Sequence, residues 1–144
     1  SEKPVMDVRE WSFRQSTDYY GVLNEEHIFI ADEYSVAAGY NTAKEMIRLD
    51  KIPSALCVAS DTLAVGVLQA LNEAGVQIPE QTAVFSINDI SVSRYVSPPL
   101  TTFHIDIAML CETAVDLLRT RVLEGGKITR TVFINGLPVF RKSC

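Results

Sequence analysis

Three short apolar runs recur at an even 28-residue spacing, His27 to Ala31, Ala55 to Ala59 and Ala83 to Ile87, with amphipathic segments between them. Short apolar runs alternating with helical patterns read as β-α-β-α-β. Right-handed crossovers then place the strands side by side and parallel. The expected fold class is α/β, an open parallel sheet with helices on both faces. The spacing is the length of one β-α unit, so the repetition does not require a solenoid.

The intervening segments carry their own start and stop signals. A first helix is expected from Val8 to about Tyr20, with Asp7 and Glu10 in capping-box spacing and Gly21 as the stop. Ser35 is placed to cap a second helix that buries Tyr40, Ala43, Met46 and Ile47 before Pro53. Asp61 is assigned as the cap of a third, with Leu63, Val67, Leu68 and Leu71 inward and Gly75 ending it. After Pro98-Pro99 the chain changes character. Leu100 to Ile105 is extended, Ile107 to Leu123 forms a long helix stopped by Gly125-Gly126, and strands follow around Thr131 to Asn135 and Leu137 to Phe140.

At 144 residues and 47% hydrophobic content the chain can close one ordinary core. A net charge of -5 supplies no basic footprint for a phosphate backbone, which argues against nucleic-acid binding by these residues themselves. Cys57, Cys111 and Cys144 are widely spaced and lack metal-ligand pairing, so no metal or cofactor is expected and a reduced, cytoplasmic protein fits. No apolar run approaches the length of about 18 residues that marks a membrane span. The opening Ser1-Glu2-Lys3-Pro4 does not resemble a secretory signal and is consistent with a fragment.

Polar side chains at the ends of parallel strands are where open α/β sheets hold small ligands. Ser60-Asp61 ends one run and Asn88-Asp89 the next. Asp61 has a structural reading as a helix cap, while Ser60 is free to project into a cleft. Asn88-Asp89 is either a turn or part of the same site. Tyr34 follows the first run, as a helix staple or as a ring for the apolar face of a sugar. Arg9 is a surface residue unless its helix starts at the cleft. A glycine-rich phosphate loop, a G-x-S-x-G elbow and clustered His or Cys are all missing, and His27 and His104 stand apart, so binding without turnover is the simpler inference.

Four ordered motifs carry a resemblance: Ala59-Ser60-Asp61-Thr62-Leu63-Ala64-Val65-Gly66, Asn72-Glu73-Ala74-Gly75-Val76-Gln77-Ile78-Pro79, Ile87-Asn88-Asp89, and Pro98-Pro99-Leu100-Thr101-Thr102. Together with Arg9, Glu33-Tyr34-Ser35, Gly39 and a degenerate ending from Leu137 to Ser143, they resemble the effector-binding region of the lactose/galactose repressor family of bacterial transcription regulators. The resemblance implies a helix-turn-helix headpiece and two lobes like those of periplasmic sugar-binding proteins. In that scheme residues 1–106 form one lobe, 107–136 cross to the other, and 137–144 return. Effector contacts are implied at Arg9, Tyr34, Ser60 and Asn88, with Thr62 and the apolar Ile107 as further contacts and Asp89 at the cleft edge. Dimer contacts are implied near Val65, Gln69 and Tyr95. The partners implied are a small sugar and, through the headpiece alone, operator DNA, with no membrane.

Where the family commonly has Asn-Asp, this chain has Ser60-Asp61, and where it has Gly-Phe/Tyr-Asp-Asp, this chain has Ser86-Ile87-Asn88-Asp89. A charged acceptor has become an amide, which suits a neutral polyol, and the combination is similar to galactoside-responsive members. The rival readings are the sugar-binding component of a transporter and an α/β enzyme using Asp61 or Asp89 with His104. The helix from Ile107 carries Leu110, Ala114, Leu117 and Leu118 on one face. Without its family partner that stripe is expected to repack on its own lobe or on another copy.

Overall fold

The computed structural model describes residues 7–125 and 129–144. Strands β1 (Ala55–Cys57), β2 (Ala83–Asn88), β3 (Thr101–His104) and β4 (Leu137–Val139) form one sheet in that order. The first three are parallel, and β4 runs antiparallel against β3. The register sets Cys57 beside Phe85 and Asn88 beside His104, so the carboxyl ends of β1, β2 and β3 share one edge of the sheet.

Helices α1 (Val8–Tyr19), α2 (Val36–Arg48), α3 (Asp61–Glu73) and α4 (Ile107–Leu123) fall where the patterns place them. Asp7 and Ser35 cap α1 and α2 through bonds from the amides of Arg9 and Ala38. Glu10 does not close a capping box on Asp7; its carboxylate takes the Arg14 guanidinium one turn on. Gly75 ends α3 at φ 75°, a conformation that costs glycine nothing.

The core lies between the sheet and α3, with α2 laid across α3. Leu68 and Leu71 of α3, Val84 of β2 and Leu100 are fully buried, and Ala43 and Met46 of α2 join them. Each such Leu contributes roughly 2 kcal/mol by leaving water. The two helices touch backbone to backbone. A Cβ at Gly66 would lie 2.0 Å from the Val36 carbonyl oxygen, and one at Gly39 would lie 2.1 Å from that of Leu63. The sequence patterns name the apolar stripes but miss this paired-glycine crossing.

Three expectations need correction. Among the described residues the run from His27 to Ala31 pairs with no strand: Asn24 caps a short 3-10 turn over Glu25–His27, and Ile28 onward is extended, with Phe29 packed on the core. Residues 131–135 likewise form no strand with the described residues, among which Leu137–Val139 is the part of this stretch that pairs. Finally, of the two outcomes expected for α4, packing on its own lobe is not seen among the described residues, and packing on another copy stays an expectation. The helix contains no buried residue, and Ile107, Leu110 and Leu118 are all exposed. The Asp106 side chain, bonded to the Met109 amide at 2.9 Å, and Gly125 at φ 67° fix the helix ends locally. Gly126 lies outside the described residues.

Behind β4 the chain tucks across the starts of β2 and β3. The buried Ser143 hydroxyl donates to the Val84 carbonyl at 2.6 Å and accepts from the Thr101 amide at 2.8 Å. This tie holds the return segment to the sheet and delivers Arg141 to the site.

Candidate ligand-binding cleft

The sheet edge formed by the carboxyl ends of β1, β2 and β3 carries two polar groups of side chains. The first is built around Arg9, in the first turn of α1. Its guanidinium donates to Asp7 Oδ1 through Nε at 3.0 Å and to Asp7 Oδ2 through Nη2 at 2.9 Å. It also donates to the Ala59 carbonyl through Nη1 at 3.0 Å and to Tyr34 Oη through Nη2 at 2.8 Å. The Tyr34 hydroxyl in turn donates to Asp7 Oδ2 at 3.0 Å. The guanidinium carbon sits 4.8 Å from the Tyr34 ring centroid, a cation–π contact. One ring face is thus occupied by Arg9, while Tyr34 remains 51% exposed, which leaves the ring available to a ligand.

These contacts perturb the titrations in a consistent direction. Arg9's hydrogen bonds hold the Asp7 carboxyl well below the usual carboxylate range, and Asp7 raises Arg9 in return. Burial first, and then the bond to Asp7, pushes the Tyr34 phenol up. At neutral pH the group is therefore a carboxylate, a guanidinium and a neutral phenol.

The second group lies at the ends of β2 and β3. Asn88 has φ 121° and Asp89 φ 54°, both in the left-handed half of conformational space. The Asn88 side chain makes no hydrogen bond among the described residues, so its amide is free for a ligand. The Asp89 carboxylate, only 4% exposed, takes Arg141 on one oxygen and His104 Nδ1 at 3.2 Å on the other, with Arg94 at 4.0 Å. Burial drives its pKa up, but Arg141's bond and charge, with Arg94 and His104, outweigh that and hold it low. Asp89 and His104 do meet, as the enzyme alternative requires. Arg141 occupies the second carboxylate oxygen, which makes the arrangement an ion pair.

Asp61 lies against the second group, and here the assigned cap moves from Asp61 to Ser60. Ser60 is the helix cap: it is extended, and its hydroxyl accepts from the Leu63 amide at 3.4 Å. Asp61 is the first helical residue and is fully buried. Its carboxylate accepts from the hydroxyls of Ser86, Thr102 at 2.6 Å and Ser93 at 2.6 Å, and from the Ile90 amide at 2.9 Å. A cap has to face the free amides of its own first turn, whereas Asp61 turns inward to donors from three other segments. Ser60, at 3% exposure, sits beside the Ala59 carbonyl that receives Arg9.

The structure therefore brings Arg9 and Tyr34 into contact, with Ala59 linking them to Ser60, and puts Asn88 on the same sheet edge. Half-buried Thr62 follows in the first turn of α3, and Ile107, 60% exposed, follows β3 as the first residue of α4. No direct side-chain bond joins Asn88, Thr62 or Ile107 to the Arg9 group among the described residues. Elsewhere, Val65 is half-buried on α3, Gln69 is exposed and bonded to Glu73, and Tyr95 is 83% exposed. Sequence reading passed over Asp7 as Arg9's partner, because residues two apart do not share a helix face. It also passed over Arg141, which meets Asp89 across 52 positions of chain.

The family model for the periplasmic binding protein-like domain matches residues 1–144. The HTH-type transcriptional regulator GanR of Bacillus subtilis is 44% identical over 140 residues, which is 96% of this chain and 42% of that protein. The chain belongs to the lactose/galactose repressor family of transcription regulators. The HTH-type transcriptional regulator GalR of Lacticaseibacillus casei is 34% identical over 95% of this chain and 42% of its own length. The chain thus spans under half the length of these relatives. Among solved structures, a LacI family transcriptional regulator from Arthrobacter sp. FB24, in complex with lactose, superposes with a TM-score of 0.81 at 25% identity, covering 99% of this chain and 53% of that one. The parallel-dominated open sheet is this family's periplasmic-binding-protein-like fold. The relatives named are regulators, which the enzyme reading does not accommodate. No helix among the described residues is long and apolar enough to cross a membrane.

Proposed function

We propose that this chain is the sugar-sensing part of a cytoplasmic transcriptional repressor, taking a neutral, galactose-type sugar at the carboxyl edge of β1, β2 and β3. The observation that carries the reading is the contact of Arg9 with Tyr34 and the Ala59 carbonyl, beside Ser60 and on the same edge as Asn88. Tyr34 offers a ring to the apolar face of the sugar, Arg9, Ser60 and Asn88 bond its hydroxyls, and Thr62 and Ile107 border the ring. The lactose held by the Arthrobacter relative and the similarity to GanR and GalR support this ligand class.

In this reading residues 1–106 form one lobe, 107–136 cross to a second, and 137–144 return. A helix-turn-helix domain outside this chain binds operator DNA, and Val65, Gln69 and Tyr95 lie in a homodimer interface. The sugar favours one arrangement of the lobes, and operator affinity follows that equilibrium. Titration calorimetry of the complete gene product with galactose and lactose tests the ligand, and operator retention with and without sugar tests the coupling. Binding is expected, together with its loss in Tyr34→Ala at unchanged operator affinity. Wild-type protein that binds neither sugar would sink the proposal.

A further inference from the structure

We propose that Asp7 sets the ligand class of the cleft: by pairing with Arg9 it makes the site select neutral sugars over acidic ones. The inference rests on the sugar-binding reading and concerns a residue outside the contacts assigned to that reading.

Arg9 is the cation nearest the Tyr34 ring, and an unpaired guanidinium there would attract a carboxylate strongly. It is not unpaired. Asp7 takes it with both carboxylate oxygens, Nε to Oδ1 at 3.0 Å and Nη2 to Oδ2 at 2.9 Å. Tyr34 Oη and the Ala59 carbonyl take two further N–H groups, at 2.8 and 3.0 Å. Only one guanidinium N–H is left over among the described residues. That single donor can serve a sugar hydroxyl but cannot form a two-pronged bond to an acid.

Asp7 is itself held in place. Its Oδ1 accepts the Arg9 backbone amide at 2.8 Å as the cap of α1, and its Oδ2 accepts the Tyr34 hydroxyl at 3.0 Å. To bind Arg9 end-on, an acidic ligand would have to displace a carboxylate that also caps a helix. In the second charged group Arg141 pairs with Asp89, and the exposed Arg94 stands 4.0 Å from the same carboxylate. At Arg9 the charge is thus cancelled by Asp7, and Asn88, where the family commonly has a carboxylate, adds none.

Asparagine caps a helix as well as aspartate does, so Asp7→Asn keeps the cap and removes the charge. The test is titration calorimetry of the complete gene product with galactose and with galacturonate, in wild type, Asp7→Asn, Asp7→Ser and Asp7→Glu. Wild type is expected to prefer galactose. The ratio of the two affinities is expected to move toward galacturonate by about tenfold or more in Asp7→Asn and Asp7→Ser, and to return in Asp7→Glu. A purely structural role would lower both affinities together and leave the ratio in place. If wild type binds galactose and the ratio is unchanged in whichever of the Asn and Ser variants folds, the inference fails while the sugar reading survives. If wild type binds neither these two sugars nor lactose, both fail. A wild type that prefers galacturonate overturns the inference and the neutral character of the ligand, and leaves sugar binding itself standing.

Discussion

The buried Asp61 carboxylate accepts the backbone amide of Ile90 at 2.9 Å, and so a residue at the start of α3 holds the turn that presents Asn88. Thr102 reinforces the link, donating to Asp61 at 2.6 Å while its oxygen receives the Asp89 amide at 3.4 Å. With its lone pairs filled by three hydroxyls and one amide, Asp61 is a structural anchor under the cleft. Replacing it with Ala strands several buried donors. Asp61→Ala is expected to lower the unfolding free energy by about 3–5 kcal/mol, read from urea denaturation midpoints.

Asn88 occupies φ 121° at the end of β2, a conformation that disfavours any side chain. Strain of this kind persists where a site needs it. Asn88→Gly removes the strain and the amide together. It is expected to stabilise the fold by about 1 kcal/mol while weakening galactose binding. Denaturation and calorimetry on the same variant separate the two effects, and a loss of stability would show that the backbone is at ease with Asn.

Asp89 titrates below its ordinary value near 3.8, because Arg141, Arg94 and His104 outweigh the cost of its burial. A carboxyl depressed by folding adds stability that is complete above the unfolded value and lost as pH falls through the folded one. Wild type should therefore lose stability more steeply between about pH 5 and pH 2 than Asp89→Asn, as followed by denaturation at a series of pH values. Parallel curves would mean that the Arg141 pair contributes nothing.

Gly66 has no room for a methyl group: its Cβ would lie 2.0 Å from the Val36 carbonyl oxygen and 2.5 Å from the Tyr40 amide nitrogen. Alanine is the better helix former by about 1 kcal/mol, yet forcing α2 away from α3 costs more. Gly66→Ala is expected to destabilise by about 2 kcal/mol net, visible as a lowered thermal midpoint.

The sequence by itself determined the elements whose signals are local. Ser35 names its own helix start, Gly75 its own stop, and the spacing of Ala43 and Met46, or of Leu68 and Leu71, states which face is inside. The ordered motifs around Ser60, Asn88 and Pro98-Pro99 were enough to point to the family and its strand-end site. Only the tertiary structure decided the pairings between residues remote in the chain. Ser60, extended and facing the Leu63 amide, is the cap, while Asp61 turns to hydroxyls brought in by β2, β3 and the turn at Ser93. Arg141 reaches Asp89 only because Ser143 pins the return segment to the sheet. Local rules act through backbone dihedrals and the first turn of a helix, and those are written in neighbouring residues. A buried charge chooses its partners after the chain has folded, by what lies within about 3 Å of it, and no spacing in the sequence encodes that distance.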